Sequence, residues 1–390
     1  MVSASPLIYL NNAATSWPKP PAVSRAVEEA LSLPPFGSGR TSGTQGIDYA
    51  ALARERVAGF LGADGSDQVI FSQNATDALN TLIAGFLAKQ TDTPHVLTTA
   101  LDHNSVLRPL HEFRRAERIG LDVLPFDESG HVSPESVEEA IRPDTRLMVM
   151  SHASNVLGSV QDIRAVGEVL QDHGIFFIVD GAQTAGHVPV TLRDLPVDAF
   201  VFTGHKGLFG IPGIGGFYLR DADAVEPVRF GGTGTNSASL FQPREMPDRF
   251  EAGTQNYPGL AALAAGVGFL EEEGVRAVAE KAHRQTAGII AGLLGEEGIT
   301  IYNRTPDVPI IALNIRGLEN DAVGFVLARG YNIIVRTGLH CAPLVHDRID
   351  GGAGCVRLSL SYFTTDAECE RTVAVLREVM RSADSAVDSA

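Results

Sequence analysis

Apolar residues follow two rhythms along this chain. Over most of its first two-thirds, short runs of β-branched and aromatic residues alternate with segments whose apolar positions recur every three or four residues. That is the pattern of a parallel sheet with crossover helices. Runs at 69–72, 96–99, 121–125, 147–151, 176–180, 199–203 and 215–219 predict seven strands. Between them, Leu79, Leu82, Ile83, Phe86 and Leu87 form one helical stripe, and Ile163, Val166, Val169 and Leu170 another. Ahead of this region the pattern predicts a short strand at 7–10, a helix at 22–33 ended by Pro34-Pro35, and a helix from about 49 to 61. The Gly/Ser/Thr segment 37–46 between those helices reads as a mobile loop or a pocket wall, or else as a solvated connector.

After Tyr257 the rhythm changes. Pro258 opens an alanine-rich helix to Glu273, a second helix follows to about Leu294, and a smaller set of elements resumes. Strands are expected at 299–302, 310–315, 333–336 and 355–361, helices at 321–329 and 366–381, and a frayed polar tail after Ser382. The expected fold class is α/β: a large domain, 15–257, with a mainly parallel seven-stranded sheet, and a smaller α+β domain, 258–390, joined by the N-terminal segment 1–14.

Charge narrows the function. The 390 residues carry 47 Asp plus Glu against 31 Lys plus Arg, a net charge of -16, which repels a phosphate backbone and argues against nucleic acid as a direct ligand. The first residues have no basic region followed by an apolar run, and no window approaches the ~20 apolar residues of a membrane span. Three cysteines without a CxxC pair fit a reducing compartment, so a cytoplasmic protein free of the membrane is expected.

In a parallel sheet, residues just beyond the carboxyl ends of the strands converge on one crevice. Lys206, beside His205 in a glycine-crowded turn after a strand, is placed where its amine can lose a proton and attack a carbonyl; otherwise it is a solvated loop lysine. Asn74-Ala75-Thr76 opens a helix, an arrangement that either binds phosphate or merely caps the helix. Asp180 ends the most hydrophobic strand and wants a cation, such as a protonated ring nitrogen or a metal. No His/Cys/Asp cluster with metal-ligand spacing accompanies it, so no metal is expected. Asp102-His103-Asn104 and Ser151 to Asn155 follow two other strands in equivalent places.

Eight segments taken in order narrow these options: NNAAT at 11–15, NATDALN at 74–80, DHNS at 102–105, SNVLG at 154–158, VDGAQTAGH at 179–187, TGHKGLFGIPGIG at 203–215, FEAGTQN at 250–256 and RTGLHCAP at 336–343. With them the chain resembles the class V group of fold-type I pyridoxal phosphate enzymes, most closely the cysteine desulfurases with an RxGxHCA-type motif. The resemblance implies that Lys206 holds pyridoxal 5'-phosphate as a Schiff base, His103 stacks on its ring and Asp180 pairs with the ring nitrogen. It further implies that Ala75, Thr76, Thr203 and His205 bind the phosphate, and that Asn155 and Gln183 steady the ring hydroxyl. Thr254 would reach the phosphate of a neighbouring subunit, which implies a homodimer. Arg336 and Arg357, with Asn155 nearby, would hold the substrate carboxylate.

The activity so implied is conversion of L-cysteine to L-alanine, with a persulfide formed on Cys341 and its sulfur passed to an unidentified acceptor. Selenocysteine lysis, C–S lysis of cysteine or cystine, and class V transamination are the alternatives within the family; a non-catalytic sulfur-relay protein lies outside it. Cys341 sits beside His340 and five residues from Arg336, two cations expected to favour its thiolate. Cys355 and Cys369 fall in a strand and a helix and read as buried thiols. The chain departs from the family's usual pattern at Leu339, at Gln255 and in the glycine-rich loop 351–354, which reads as flexible.

Overall fold

The structure is a computed structural model that describes residues 6–34 and 46–387. All of the expected 37–46 segment except Gly46 therefore lies outside the described residues.

All seven expected strands form one sheet: β2 (Val69–Ser72), β3 (His95–Thr99), β4 (Gly120–Leu124), β5 (Thr145–Ser151), β6 (Phe176–Asp180), β7 (Ala199–Thr203) and β8 (Gly215–Leu219). Their order is β2-β8-β7-β6-β5-β3-β4. Only β8 runs antiparallel to its neighbours, β2 and β7. Both faces of the sheet are covered, so successive residues enter different cores: Phe177 and Val179 join one, Phe176 and Ile178 the other. This is why the strands read as unbroken apolar runs.

Helices α3 (Ala75–Leu87) and α6 (Ile163–Asp172) carry the two stripes seen in the sequence. The sheet also keeps α4 (Asn104–Arg115) and α5 (Pro134–Ala140) as crossovers. Pro109 lies inside α4, a position at which a helix loses a backbone donor. N-terminal to the sheet, α1 (Pro21–Ser32) and α2 (Tyr49–Leu61) pack on the long α7 (Tyr257–Glu273). A buried ion pair ties this layer to the sheet. Arg54 meets both carboxylate oxygens of Glu251 at 2.8 Å, and Glu251 accepts the Phe71 amide at 2.6 Å.

The C-terminal part has its own antiparallel sheet, in the order β12-β13-β10-β9. Its strands are β9 (Ile299–Ile301), β10 (Ile310–Ile315), β12 (Arg336–Gly338) and β13 (Cys355–Ser359). The helices α8 (Val275–Leu293), α9 (Asn320–Tyr331) and α11 (Asp366–Val387) accompany it, with the short α10 (Pro343–Ile349) after β12. The single strand expected at 333–336 is divided in two. β11 (Ile333–Ile334) pairs in parallel with β1 (Ile8–Tyr9), whereas β12 joins β13. The chain therefore serves two sheets within six residues, 333–338, a break that apolar alternation does not register. The expected frayed tail is also revised: α11 continues to Val387, with no Pro or Gly to stop it.

Candidate active site

A cavity of about 680 Å³ opens beyond the carboxyl ends of the parallel strands. Its lining includes Lys206, Asp180, His103, Asn155, Gln183 and Thr203 from the sheet side. Ala75, Thr76 and His205 lie along the same wall, and Arg336 and Arg357 enter from the C-terminal part. Of the residues to which the resemblance gives a role, Cys341 and Thr254 lie outside this lining.

The Lys206 turn is held from below. Ser16 donates its amide to the His205 carbonyl at 2.9 Å and its hydroxyl to the Lys206 carbonyl at 2.8 Å. Gly207 allows the turn to lie on the segment after β6, since a Cβ there would stand 2.4 Å from the Ala185 oxygen. Burial pushes the Lys206 amine down to about 8; Asp180 opposes the shift, and Arg357 and Arg336 reinforce it. Across the cavity floor, burial raises the pKa of Asp180, opposed by the Ala182 amide at 3.0 Å and by Lys206. A cation placed against Asp180 would relieve that cost.

His103 caps α4. Its Nδ1 accepts from the Ser105 amide at 3.0 Å, which leaves Nε2 to carry the ring proton in the neutral form. Burial lowers its pKa to about 4, and the nearby Lys206 and arginines add to the effect, so the ring is neutral at pH 7. Beneath it lies Asp102, to which the sequence reading gives no role. Its fully buried carboxylate accepts from the amide and hydroxyl of Ser151 at 2.6 and 2.7 Å, and from Thr98 Oγ1, Thr99 N and Thr99 Oγ1 at 2.8 Å. It locks the ends of β3 and β5 together directly beside His103. The signal in the sequence is two strand-end threonines followed by an aspartate.

Several polar atoms in this cavity have no partner among the described residues. Thr203 Oγ1, Asn155 Oδ1 and Arg357 Nε are buried and unpaired, although such groups ordinarily find one. The amides of Ala75 and Thr76 begin α3, whose first-turn donors have no acceptor within the helix. Asn74 does cap this helix, through the Asp77 amide at 3.0 Å, yet Ala75 and Thr76 still face the cavity. Gln183 is already engaged, donating to the Ala13 carbonyl at 3.1 Å. Arg357 donates to the Asn155 carbonyl at 2.8 Å, and burial lowers its pKa to about 9.

Cys341 stands at the rim, in a groove that also includes Thr76, Asn80, His103 and Ser105 of the cavity wall. Its Sγ lies 3.4 Å from Arg336 Nη2. Both His340 and Cys341 take left-handed backbone angles, with φ of 52° and 59°, a conformation that non-glycine residues hold only under external restraint. The restraint is visible. Asn155 Nδ2 donates to the His340 carbonyl at 2.7 Å, and the Asn104 amide donates to the Cys341 carbonyl at 2.7 Å.

The expectation of two cations beside Cys341 needs correction. The His340 ring turns away from the sulfur toward His346, and burial, with Arg357 and other neighbours, drives its pKa to about 2. It is neutral, and Arg336 is the cation at the thiol. Cys355 and Cys369 are buried, and burial raises both thiols to about 12. Thr254 is exposed in a surface groove with Arg229 and Asn256 that meets the cavity at Asn74 and Asp77. Gln255 bonds to Glu251 of the buried ion pair. The 351–354 loop is pinned, because Asp350 Oδ1 accepts the Gly352 and Gly354 amides at 3.1 and 3.2 Å.

The sequence model for aminotransferase class V matches residues 8–372. The chain belongs to this family. Class V aminotransferases depend on pyridoxal phosphate, and the cavity suits that group: an amine opposite a buried carboxylate, unpaired helix-terminal amides and an orphaned threonine hydroxyl for a phosphate. Among similar proteins, the one from Halalkalibacterium halodurans named "Probable cysteine desulfurase" is 33% identical, with 88% of this chain and 86% of the relative covered. A cysteine desulfurase of Pectobacterium atrosepticum is 29% identical, with 97% and 95% covered. The solved apo structure of the cysteine desulfurase from Thermococcus onnurineus NA1 superposes with a TM-score of 0.87 at 29% identity, over 96% of this chain and 95% of that one.

Proposed function

We propose that this class V protein is a pyridoxal phosphate-dependent cysteine desulfurase, a cytoplasmic homodimer that passes sulfur from L-cysteine through Cys341 to an acceptor. The observation that carries this reading is the placement of Cys341 Sγ, 3.4 Å from Arg336 Nη2, at the rim of the cavity that contains Lys206 and Asp180. A thiol needs that position to reach a substrate sulfur whose carboxylate is held by arginine.

Each residue has a task in this scheme. The amides of Ala75 and Thr76, the Thr203 hydroxyl and His205 take the cofactor phosphate, and Asn155 and Gln183 flank its hydroxyl. The neutral His103 ring covers one face, and the Asp180 carboxylate supplies the counter-charge for the ring nitrogen. When bound, pyridoxal phosphate supplies an electron sink for the substrate carbon. Lys206 Nζ anchors the cofactor and, once released, accepts the substrate Cα proton. Arg336 and Arg357 orient the carboxylate. The Cys341 thiolate then takes the substrate sulfur: one S–S bond forms, one C–S bond breaks, and L-cysteine plus thiol becomes L-alanine plus Cys341 persulfide. Residues 15–257 hold the cofactor in this reading, while 258–390 with 1–14 bring Arg336, Arg357 and Cys341, so the reaction takes place between two domains.

Product analysis with L-cysteine and a reductant tests the proposal. Alanine and sulfide are expected. Pyruvate and ammonia in their place would identify a β-eliminating lyase and overturn the assignment of Cys341.

A further inference from the structure

Next to Cys341, and outside the cavity lining, three potential metal ligands from successive elements of the stretch 340–355 converge. His340 comes from the turn after β12, His346 from α10 and Cys355 from β13, and all three are buried. Their ligand atoms all lie within 4.8 Å of one another. His340 Nδ1 faces His346 Nε2 at 3.3 Å, and Cys355 Sγ lies 4.0 Å from His340 Nδ1. The H-x5-H-x8-C spacing matches no familiar zinc pattern, and only the fold brings these residues together.

The outer nitrogens determine what the inner ones can be. His346 Nδ1 is 2.6 Å from Asp350 Oδ2, and His340 Nε2 is 3.3 Å from the Arg336 carbonyl. A carboxylate and a carbonyl only accept, so both outer nitrogens carry protons. The two inner nitrogens then face each other at 3.3 Å. A proton shared between them or a metal cation satisfies that contact. Two nitrogens bound tetrahedrally at the usual zinc distance of about 2.0–2.1 Å stand about 3.3–3.4 Å apart. To reach the N···S spacing of the same geometry, about 3.5 Å, the sulfur must move about 0.5 Å toward His340 and up to about 1.3 Å toward His346. A histidine ligand backed by a carboxylate is also the usual second-layer arrangement of zinc sites.

We propose that His340 Nδ1, His346 Nε2 and Cys355 Sγ form a site for one borderline-soft divalent cation of the zinc class, which clamps the turn bearing Arg336 and Cys341. Binding converts the Cys355 thiol to a thiolate and releases its proton to solvent; no electron is transferred. The exposed Gly351, Gly352 and Ala353 beside Asp350 provide the way in. The site requires no sulfur chemistry and stands whatever the reaction in the neighbouring cavity.

The test uses tag-free holoenzyme stripped with a chelator, incubated with Zn2+, gel-filtered and assayed for metal by mass spectrometry, with zinc-edge X-ray absorption to identify the ligands. About one zinc per chain should remain, with two nitrogens at about 2.0–2.1 Å and one sulfur at about 2.3 Å. Cys341→Ser should retain it. Cys355→Ser and His346→Gln should bind at least about tenfold more weakly, and Asp350→Asn, which leaves all three ligands in place, about 10–100-fold more weakly. Cofactor absorbance and circular dichroism report folding; if both ligand variants unfold, Asp350→Asn and the absorption spectrum of the wild type decide. Wild type that retains no zinc, or zinc that survives Cys355→Ser and leaves with Cys341→Ser, overturns the proposal.

Discussion

Lys206 should capture pyridoxal phosphate with a pH dependence set by its surroundings. Its amine is brought down to about 8 from an ordinary lysine value of 10.5. At pH 7 about one amine in ten is then free, against about one in three thousand for an unperturbed lysine, a gain of roughly 300-fold in reactive nucleophile. The sign follows directly. Below about 8 the ammonium form dominates and capture slows about tenfold per pH unit; above that the rate levels off. The assay mixes cofactor-free protein with saturating pyridoxal phosphate in a stopped-flow instrument and follows the visible absorbance, with a free alkylamine as the reference for the cofactor's own titration. Two substitutions should move the break in opposite directions. Asp180→Asn removes the charge that favours the ammonium and shifts the break down, whereas Arg336→Gln removes an opposing cation and shifts it up. A rate still climbing tenfold per unit past pH 9.5, or both variants shifting the same way, would refute the electrostatic reasoning.

Asp180→Ala should fold, with a melting temperature near wild type, and lose about 10²–10³-fold or more in turnover of L-cysteine, the scale set by loss of one preorganised charge; near-normal steady-state rates would mean the ring sits the other way. Cys341→Ala should keep the visible absorbance of bound cofactor, but give no alanine and no persulfide by mass spectrometry, while Cys369→Ala changes neither. Glu251→Gln leaves the buried Arg54 without its carboxylate and should cost about 3–5 kcal/mol in denaturant unfolding; a loss under 1 kcal/mol would mean that water reaches this pair. In the proposed homodimer Thr254, exposed and outside the lining of its own cavity, serves the partner's phosphate, so dilution to monomer should loosen cofactor binding, and a fully active monomer in sedimentation would contradict that.

The sequence made the sheet legible because strands covered on both faces leave unbroken apolar runs, such as 176–180, and because the parallel-sheet rule then points to the residues at and just beyond the strand ends. Lys206, Asp180, His103 and Asn155 were found that way, and all four line one cavity. What stayed hidden depends on partners distant in sequence. The 333–336 run is equally apolar whether it serves one sheet or two, so only the pairing of β11 with β1 reveals the break. Asp102 looks like any loop aspartate until Ser151, from another strand, supplies two of its hydrogen bonds.

The sharpest divergence is at His340 and Cys341. Adjacency in sequence suggested a histidine cation supporting a thiolate, but adjacency does not fix where two side chains point when the backbone between them is left-handed. With φ at 52° and 59°, held by Asn155 and Asn104, the chain sends the imidazole into the interior and leaves the sulfur at the cavity rim. One strained turn thereby gives two neighbouring residues opposite environments. The cation beside the sulfur is instead Arg336, the arginine proposed to hold a substrate carboxylate. If Arg336 serves both thiol and substrate as proposed, their states are coupled: a bound carboxylate draws the guanidinium's charge away from Cys341, and an empty site leaves more of it to the sulfur. Reaction of Cys341 with a neutral alkylating agent should therefore slow when a non-reacting carboxylate analogue fills the site beyond what shielding alone produces, and Arg336→Gln should abolish that excess. An excess that persists in Arg336→Gln would separate the two roles and return the thiol's support to some other group.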